Sequence, residues 1–236
     1  MRLQGRRQVF KKFVHRTLRH AGLGVVRVRD PYVDMARLAG PGAVATAIDG
    51  GAYRGIATDR LRAVFPGVQV HAFEPQRESF ADLCLRFANQ PDVHLHDCAL
   101  SDSDGEQPFF VNDVAYTSSL LAPSTPAMHT IEKRRVRTRR LDDVLAEAGG
   151  APVDVIKLDL QGNELTALHG GQQALASCRA LLTEVNFRPR YAGACSFETL
   201  AAFVDRFGLH LYRFYDICNS DDQGWLQADA LFVRQP

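Results

Sequence analysis

The sequence predicts an α/β fold: one mostly parallel sheet with helices on both faces. Three observations carry this. From Val44 onward, short apolar runs alternate with stretches of helical period. That is the pattern of strand–helix–strand units joined by right-handed crossovers. The first run ends in a glycine-rich turn, Gly50-Gly51-Ala52-Tyr53-Arg54-Gly55, and the last two runs have no helix between them and read as a hairpin.

The elements follow in order. Phe10, Phe13, Val14, Leu18 and Ala21 recur at helical spacing, with Arg and Lys on the other face and Gly22 and Gly24 as the stop. A helix is expected around Tyr32 to Leu38, and Pro41-Gly42 marks a turn. Val44 to Asp49 is the first strand. Thr58 to Phe65 is a helix closed by Pro66-Gly67, and Val68 to Glu74 is the second strand. Ser79 to Phe87 is helical, and Val93 to Leu100 is the third strand. Phe109 to Asn112 and Arg135 to Arg139 read as a strand pair around a loop rich in Ser, Thr and Pro. Leu141 to Ala148 is a helix ended by Gly149-Gly150, and Val153 to Leu160 is the fourth main strand. A helix starts at Glu164, Ala180 to Phe187 is the fifth strand, and Phe197 to Phe207 is a helix. Leu209 to Tyr215 and Ala228 to Val233 close the chain. The simplest partition is a basic helical extension over 1–42 and one domain over 43–236.

The chain has 236 residues, 46% hydrophobic and 23% charged, which suits a globular core. Its net charge of +1 argues against a general nucleic-acid binder. The average hides an asymmetry. Nine basic residues precede the first acid, Asp30, and the remainder carries 19 basic against 27 acidic residues. The basic helix is expected to pack on the acidic domain, and a peripheral contact with an anionic membrane stays open beside that. No run approaches the roughly 18 apolar residues of a membrane span, and no apolar core of a secretory signal is present. Five widely spaced cysteines without a C-x-x-C pair argue against a disulfide framework or zinc site, and a cytoplasmic setting is expected. The run Lys133 to Arg140 alternates with Val136 and Thr138, which suits an exposed strand rather than a nucleic-acid surface.

In an open α/β sheet a ligand sits beyond the carboxyl ends of the strands. The first such end is the glycine turn after Asp49, where glycines allow close backbone approach and the next helix offers free N–H groups. The second strand ends at Glu74, 19 residues past Gly55. A carboxylate there can accept both hydroxyls of a ribose, so the pair reads as an adenosine-containing cofactor site. Asp97, at the third strand end, either accepts from an adenine amine or caps a turn. The glycines at 50, 51 and 55 do not satisfy G-x-G-x-x-G, which disfavours a dinucleotide.

These residues resemble the FkbM-type methyltransferases, enzymes of the class I fold that use S-adenosylmethionine (SAM). The matching stretches are IDGGAYRG (Ile48 to Gly55), AFEP (Ala72 to Pro75), CALSDSDG (Cys98 to Gly105), RRLDDVL (Arg139 to Leu145), VDVIKLDLQGNE (Val153 to Glu164) and LLTEVNF (Leu181 to Phe187). They keep the family's order, though Tyr53 stands where an Asn is usual and Gly50 where an aliphatic residue is usual. The resemblance implies a Rossmann-like, seven-stranded sheet with the last strand antiparallel. It also implies a cofactor-binding set of Asp49, Gly51, Ala52, Tyr53, Gly55, Glu74, Pro75, Asp97, Cys98, Ala99, Ser119 and Asp159. The implied reaction is O-methylation of a small-molecule or glycan acceptor: a hydroxyl of a sugar, glycolipid or natural product.

Removing a hydroxyl proton needs a base or a metal. The catalytic candidates are Asp159, Lys157 and Glu184. Lys157 and Asp159 share a strand face, and Asp159 stands at the strand end over the expected cleft. Charges inside apolar strands need partners, so a Lys157–Glu184 ion pair is the structural alternative. Gln161, Glu164 and His129 are the substrate-side candidates; the same acids could hold a divalent metal through their oxygens, but no His lies near enough in sequence to strengthen that idea, and no metal ligand is assigned. The loop Val114 to Thr130 is the natural source of a substrate lid. Two other readings remain: a nicotinamide-dependent oxidoreductase on the same sheet, and an inactive methyltransferase-like adaptor.

Overall fold

The computed structural model describes residues 29–40, 42–220 and 222–234. The basic helix expected between Phe10 and Ala21 lies outside the described residues. The described elements, in chain order, are α1 (Pro31–Leu38), β1 (Thr46–Gly50), α2 (Ile56–Val64), β2 (Gln69–Phe73), α3 (Arg77–Arg86), β3 (Val93–His96) and β4 (Ala99–Leu100). Then come β5 (Gly105–Asn112), a one-turn 3-10 helix (Ala115–Thr117), β6 (Thr130–Arg139), α4 (Leu141–Glu147) and β7 (Val155–Leu158). The chain closes with α5 (Glu164–His169), α6 (Gln172–Ser177), β8 (Ala180–Asn186), α7 (Phe197–Asp205), β9 (Leu209–Ser220) and β10 (Gly224–Arg234).

Seven strands form the main sheet in the order β3-β2-β1-β7-β8-β10-β9. All neighbours are parallel except β10, which runs antiparallel between β8 and β9. The expected hairpin and antiparallel last strand are therefore both present. Strands β1, β7 and β8 are buried at every position, as strands covered on both faces must be. One face packs Ile48, Ile156, Leu158, Leu181 and Phe232 with α4 to α7. The other packs Ala47, Val70, Val155, Leu182 and Leu231 with α1 and α2.

Helix α1 belongs to that second layer: Tyr32, Met35 and Ala39 are buried against Val44, Tyr215 and Leu231. The compact unit begins at Pro31, so Pro31–Leu38 packs within it although the sequence partition put these residues in the extension. The expected third strand divides. β3 ends at His96 in the main sheet, while Ala99–Leu100 pairs with β6 in a separate sheet ordered β4-β6-β5. The hinge is Asp97, where the Cys98 N–H bonds back to the His96 carbonyl at 3.0 Å, a tight turn that redirects the strand. The β5–β6 hairpin is longer than expected, pairing from Gly105↔Thr138 to Asn112↔Thr130. On β6, Val136 and Thr138 are buried while Arg135 and Arg137 are exposed, the one-sided alternation expected of the basic run. The helix expected from Glu164 is α5, and a second short helix, α6, follows Gly170-Gly171.

Candidate active site

The chain moves outward from β1 to β2 and β3, then returns to the other side of β1 as β7. A crevice opens where that order reverses, beyond the carboxyl ends of β1 and β7. A cavity partly open to solvent lies there, with Gly51, Glu74, Asp159 and Gln161 among its lining residues.

Gly51 forms part of its floor at φ +74, and a Cβ there would collide with the Asp159 carbonyl oxygen. Only glycine lets the two strand ends close up in this way. The Gly51 and Ala52 N–H groups both donate to the Phe73 carbonyl at 3.0 Å. That ties the turn to β2 and sets Glu74 beside it. Glu74 is buried and lines the cavity. Its Oε2 accepts the Tyr53 N–H and its Oε1 the Gln76 N–H, both at 2.8 Å. Each oxygen keeps capacity for one more donor. Burial pushes the carboxyl up to about 7, against the pull of those two N–H groups. Donors on a bound ligand would restore the charged form.

Asp49 is not in the cavity. It is fully buried below it, with Oδ2 accepting from the Thr58 hydroxyl at 2.6 Å and Oδ1 lying 3.4 Å from Lys157 Nζ. Asp49 and Lys157 are register partners on β1 and β7, so their side chains leave the same face. Lys157 also reaches the Gly51 carbonyl at 3.4 Å and Asp159 Oδ2 at 3.9 Å. Burial works against its charge. The Asp49 and Asp159 carboxylates overcome that and hold its pKa above the ordinary lysine value. The Lys157–Glu184 pair does not form. Lys157 stands opposite Leu182 in the register, two residues short of Glu184.

Asp159 lines the cavity with its side chain 43% exposed. Its Oδ1 accepts from Gln161 Nε2 at 2.7 Å. Gln161 lines the cavity too, in a left-handed conformation at φ 55, and its Oε1 accepts the Tyr191 hydroxyl at 2.6 Å. Glu184 lies behind Gln161 rather than in the cavity. Its Oε2 accepts from Gln227 at 3.0 Å and from Gln161 at 3.4 Å. Burial raises its pKa well above the carboxylate range, and the charges of Asp159, Glu164 and Asp229 raise it further.

Of the remaining sequence candidates, Tyr53, Pro75, Cys98, Ala99 and Ser119 line the cavity. The others do not. Ala52 packs against Ala72, Leu83 and Phe87. Gly55 is the left-handed cap of α2, pressed against the Phe87 ring. Asp97 turns outward into an open groove beside Arg134 and Arg137. Glu164 is buried under the 161–162 turn, where its Oε1 accepts the Leu160 and Gly162 N–H groups at 2.8 and 3.2 Å. Burial pushes its pKa up to about 7. His129 is exposed before β6 and is not among the lining residues.

Sequence reasoning missed Phe73, Leu100, Phe109, Tyr116, Leu120 and Asn163, all of which line the cavity. Asn163 carried one readable signal, its place beside Gln161-Gly162, and its Nδ2 donates to the Leu100 carbonyl at 3.0 Å. Phe109 had none, because it arrives from the separate sheet, whereas Tyr116 and Leu120 lie in the loop Val114 to Thr130 already expected to form a lid.

The lining combines an apolar slot with two carboxylates, Glu74 and Asp159, and no Lys, Arg or His. A pyrophosphate would meet negative charge there without a countercharge, whereas a ligand bearing sulfonium and ammonium groups would be drawn in. The residues present therefore fit an adenosyl group attached to a cationic tail.

Known proteins resemble this chain in sequence and in fold. Residues 49–214 match the model of the methyltransferase FkbM domain. The chain is 27% identical over 174 residues to the 2-O-methyltransferase NoeI of Sinorhizobium fredii, covering 69% of this chain and 72% of that one. Among solved structures, a candidate rRNA methylase from Clostridium thermocellum superposes with a TM-score of 0.51 at 10% identity, covering 89% of this chain and 99% of that one. That last likeness speaks to the fold alone.

Proposed function

The chain belongs to the FkbM methyltransferase family, with S-adenosylmethionine as its cofactor, and on that premise we propose that it methylates a hydroxyl oxygen of a sugar, glycolipid or natural product. The observation that carries the reading is the half-exposed Asp159 carboxylate at the carboxyl end of β7, within the cavity. The 2-O-methyltransferase relative supports oxygen as the acceptor atom.

When bound, SAM supplies an electrophilic methyl group. The chain's own residues do the rest. Glu74 accepts the ribose hydroxyls from the end of β2. The apolar slot formed by Phe73, Cys98 and Leu100 takes the adenine and excludes water. Asp159 orients the acceptor hydroxyl and takes its proton. Its Oδ1 is already engaged by Gln161, which leaves Oδ2, on the Lys157 side, for that proton. Holding donor and acceptor in near-attack geometry supplies several kcal/mol of the barrier, and a positioned base contributes about 10² to 10⁴ in rate.

The test is transfer of labelled methyl from SAM to a panel of glycans, glycolipids and hydroxylated natural products. Asp159→Asn is expected to lower transfer to the preferred acceptor about 10² to 10⁴-fold. Label recovered on nitrogen, or a variant as active as wild type, would contradict the assignment.

A further inference from the structure

Three non-glycine residues among those described have a left-handed backbone: Tyr53, Gln161 and Asp216. Two of them, Tyr53 and Gln161, line the cavity. Strained backbone persists where the surroundings over-determine it, and it clusters at ligand clamps. Gln161 has a visible structural reason, its bonds to Asp159 and Tyr191. Tyr53 does not owe its ring position to the core, since the residue is only half-buried.

Tyr53 is held at φ 48, and its N–H donates to Glu74 Oε2 at 2.8 Å. The Tyr53 backbone, from which the ring projects, is therefore tied to the acid read as the ribose acceptor. It meets Tyr116 edge-on, with ring centroids 6.5 Å apart at 70°. The Arg54 guanidinium lies 5.3 Å from the Tyr53 ring centroid, within cation–π range. Tyr116 lines the same cavity yet is 63% exposed, which places it at the rim. Its backbone is well held: the following Thr117 carbonyl accepts from Asn112 Nδ2 at 2.7 Å and from the Tyr191 hydroxyl at 2.8 Å. A large aromatic ring is thus presented to solvent from a turn that is fastened from below.

We propose that Tyr53 and Tyr116 form an aromatic clasp at the rim of the cavity that retains S-adenosylmethionine and its product, so that this ring pair sets how long the cofactor stays bound. The inference rests on reading this cavity as the cofactor site. The clasp would close over the ribose side of the cofactor, next to Glu74, and each exchange of product for fresh cofactor would part the two rings. An edge-to-face pair needs no hydroxyl, so the ring and not the phenol is what matters at position 116. At position 53, asparagine accepts left-handed backbone far better than tyrosine does. Replacing the tyrosine there relieves strain while it removes the clasp.

The experiment measures dissociation of labelled S-adenosylhomocysteine (SAH) from the full chain, chased with unlabelled SAH. Tyr116→Ala is expected to release the probe about three- to tenfold faster, the span that one aromatic pair supports. Tyr116→Phe is expected to restore the wild-type rate. Tyr53→Asn is expected to release the probe faster without lowering the melting temperature, a combination that a purely structural role would not produce. Release from Tyr116→Ala and Tyr53→Asn within about twofold of wild type would overturn the clasp while leaving the cavity assignment in place. A wild-type chain that binds no SAH would overturn the cavity assignment and the clasp together.

Discussion

Removing the Lys157 ammonium would strand the Asp49 carboxylate in the core. Asp49 is fully buried, and its Oδ1 has Lys157 as its neighbouring charge but no hydrogen-bond donor. Breaking a buried pair from one side costs about 3–5 kcal/mol. Lys157→Met is therefore expected to lose stability on that scale in urea unfolding, and a loss below about 1 kcal/mol would contradict the role given to the pair. Asp49 also shows where single-residue reasoning stops. An acid at a strand end before a glycine turn reads as a ligand acid. Its direction, however, is decided by Thr58 on α2 and Lys157 on β7, and neither is adjacent in sequence. Glu74 was legible for the opposite reason. Its two partners, the Tyr53 and Gln76 N–H groups, belong to the glycine turn and to the start of the next helix, so the same motif that suggests the acid also builds its surroundings.

At the level of elements, β2 and β3 carry an unusual contact. His71 Nδ1 and His96 Nε2 are 3.1 Å apart, and His71 stacks on both His94 and His96. Burial, reinforced by the neighbouring histidines, lowers the pKa of His71 and of His96 to about 4. Their folded pKa values thus lie below the unfolded value of 6.5. The unfolded chain binds more protons between those limits, and the histidines' contribution to stability is lost as pH falls from 6.5 toward 4. Glu74 and Asp229, with pKa values raised by burial to about 7 and about 6, act in the opposite direction as pH rises. The wild-type curve mixes the two effects, so the informative quantity is a difference. The stability of His71→Leu relative to wild type is expected to be flat above pH 6.5 and to climb in the variant's favour toward pH 4, read from melting temperatures across pH. A flat difference throughout would contradict it. The order and kind of the main elements were legible because buried parallel strands and amphipathic helices have different periods. The division of β3 from β4 was not. No Gly or Pro marks the Asp97 hinge, and the apolar pattern runs straight through it. Only the partner strand β6, drawn from a distant segment, pulls Ala99 and Leu100 away.

Across the whole molecule, the topology brings Gly51, Glu74, Asp159 and Gln161 to one rim. The alternation of strands and helices made that rim legible before any contact was known, since ligands in such sheets gather beyond the carboxyl ends. The cavity's other wall was legible only as the loop Val114 to Thr130, with Ser119 its one cofactor-side candidate. Phe109, Tyr116 and Leu120 come from the separate sheet and its loop, whose placement over the main sheet depends on long-range pairing and not on local pattern. The distribution of charge divides in the same way. The acidic excess after residue 29 is plain in the sequence. The gathering of two carboxylates and no cationic side chain among the lining residues of one cavity is a property of the fold. On the proposed reading that arrangement favours a cationic adenosyl cofactor, and the reading is tested most directly by titration calorimetry of the full chain with SAH. One molecule is expected to bind per chain, with binding lost or weakened at least about tenfold in a folded Glu74→Ala chain. Absence of binding to the wild type, or a Glu74→Ala isotherm that matches it, would contradict the account.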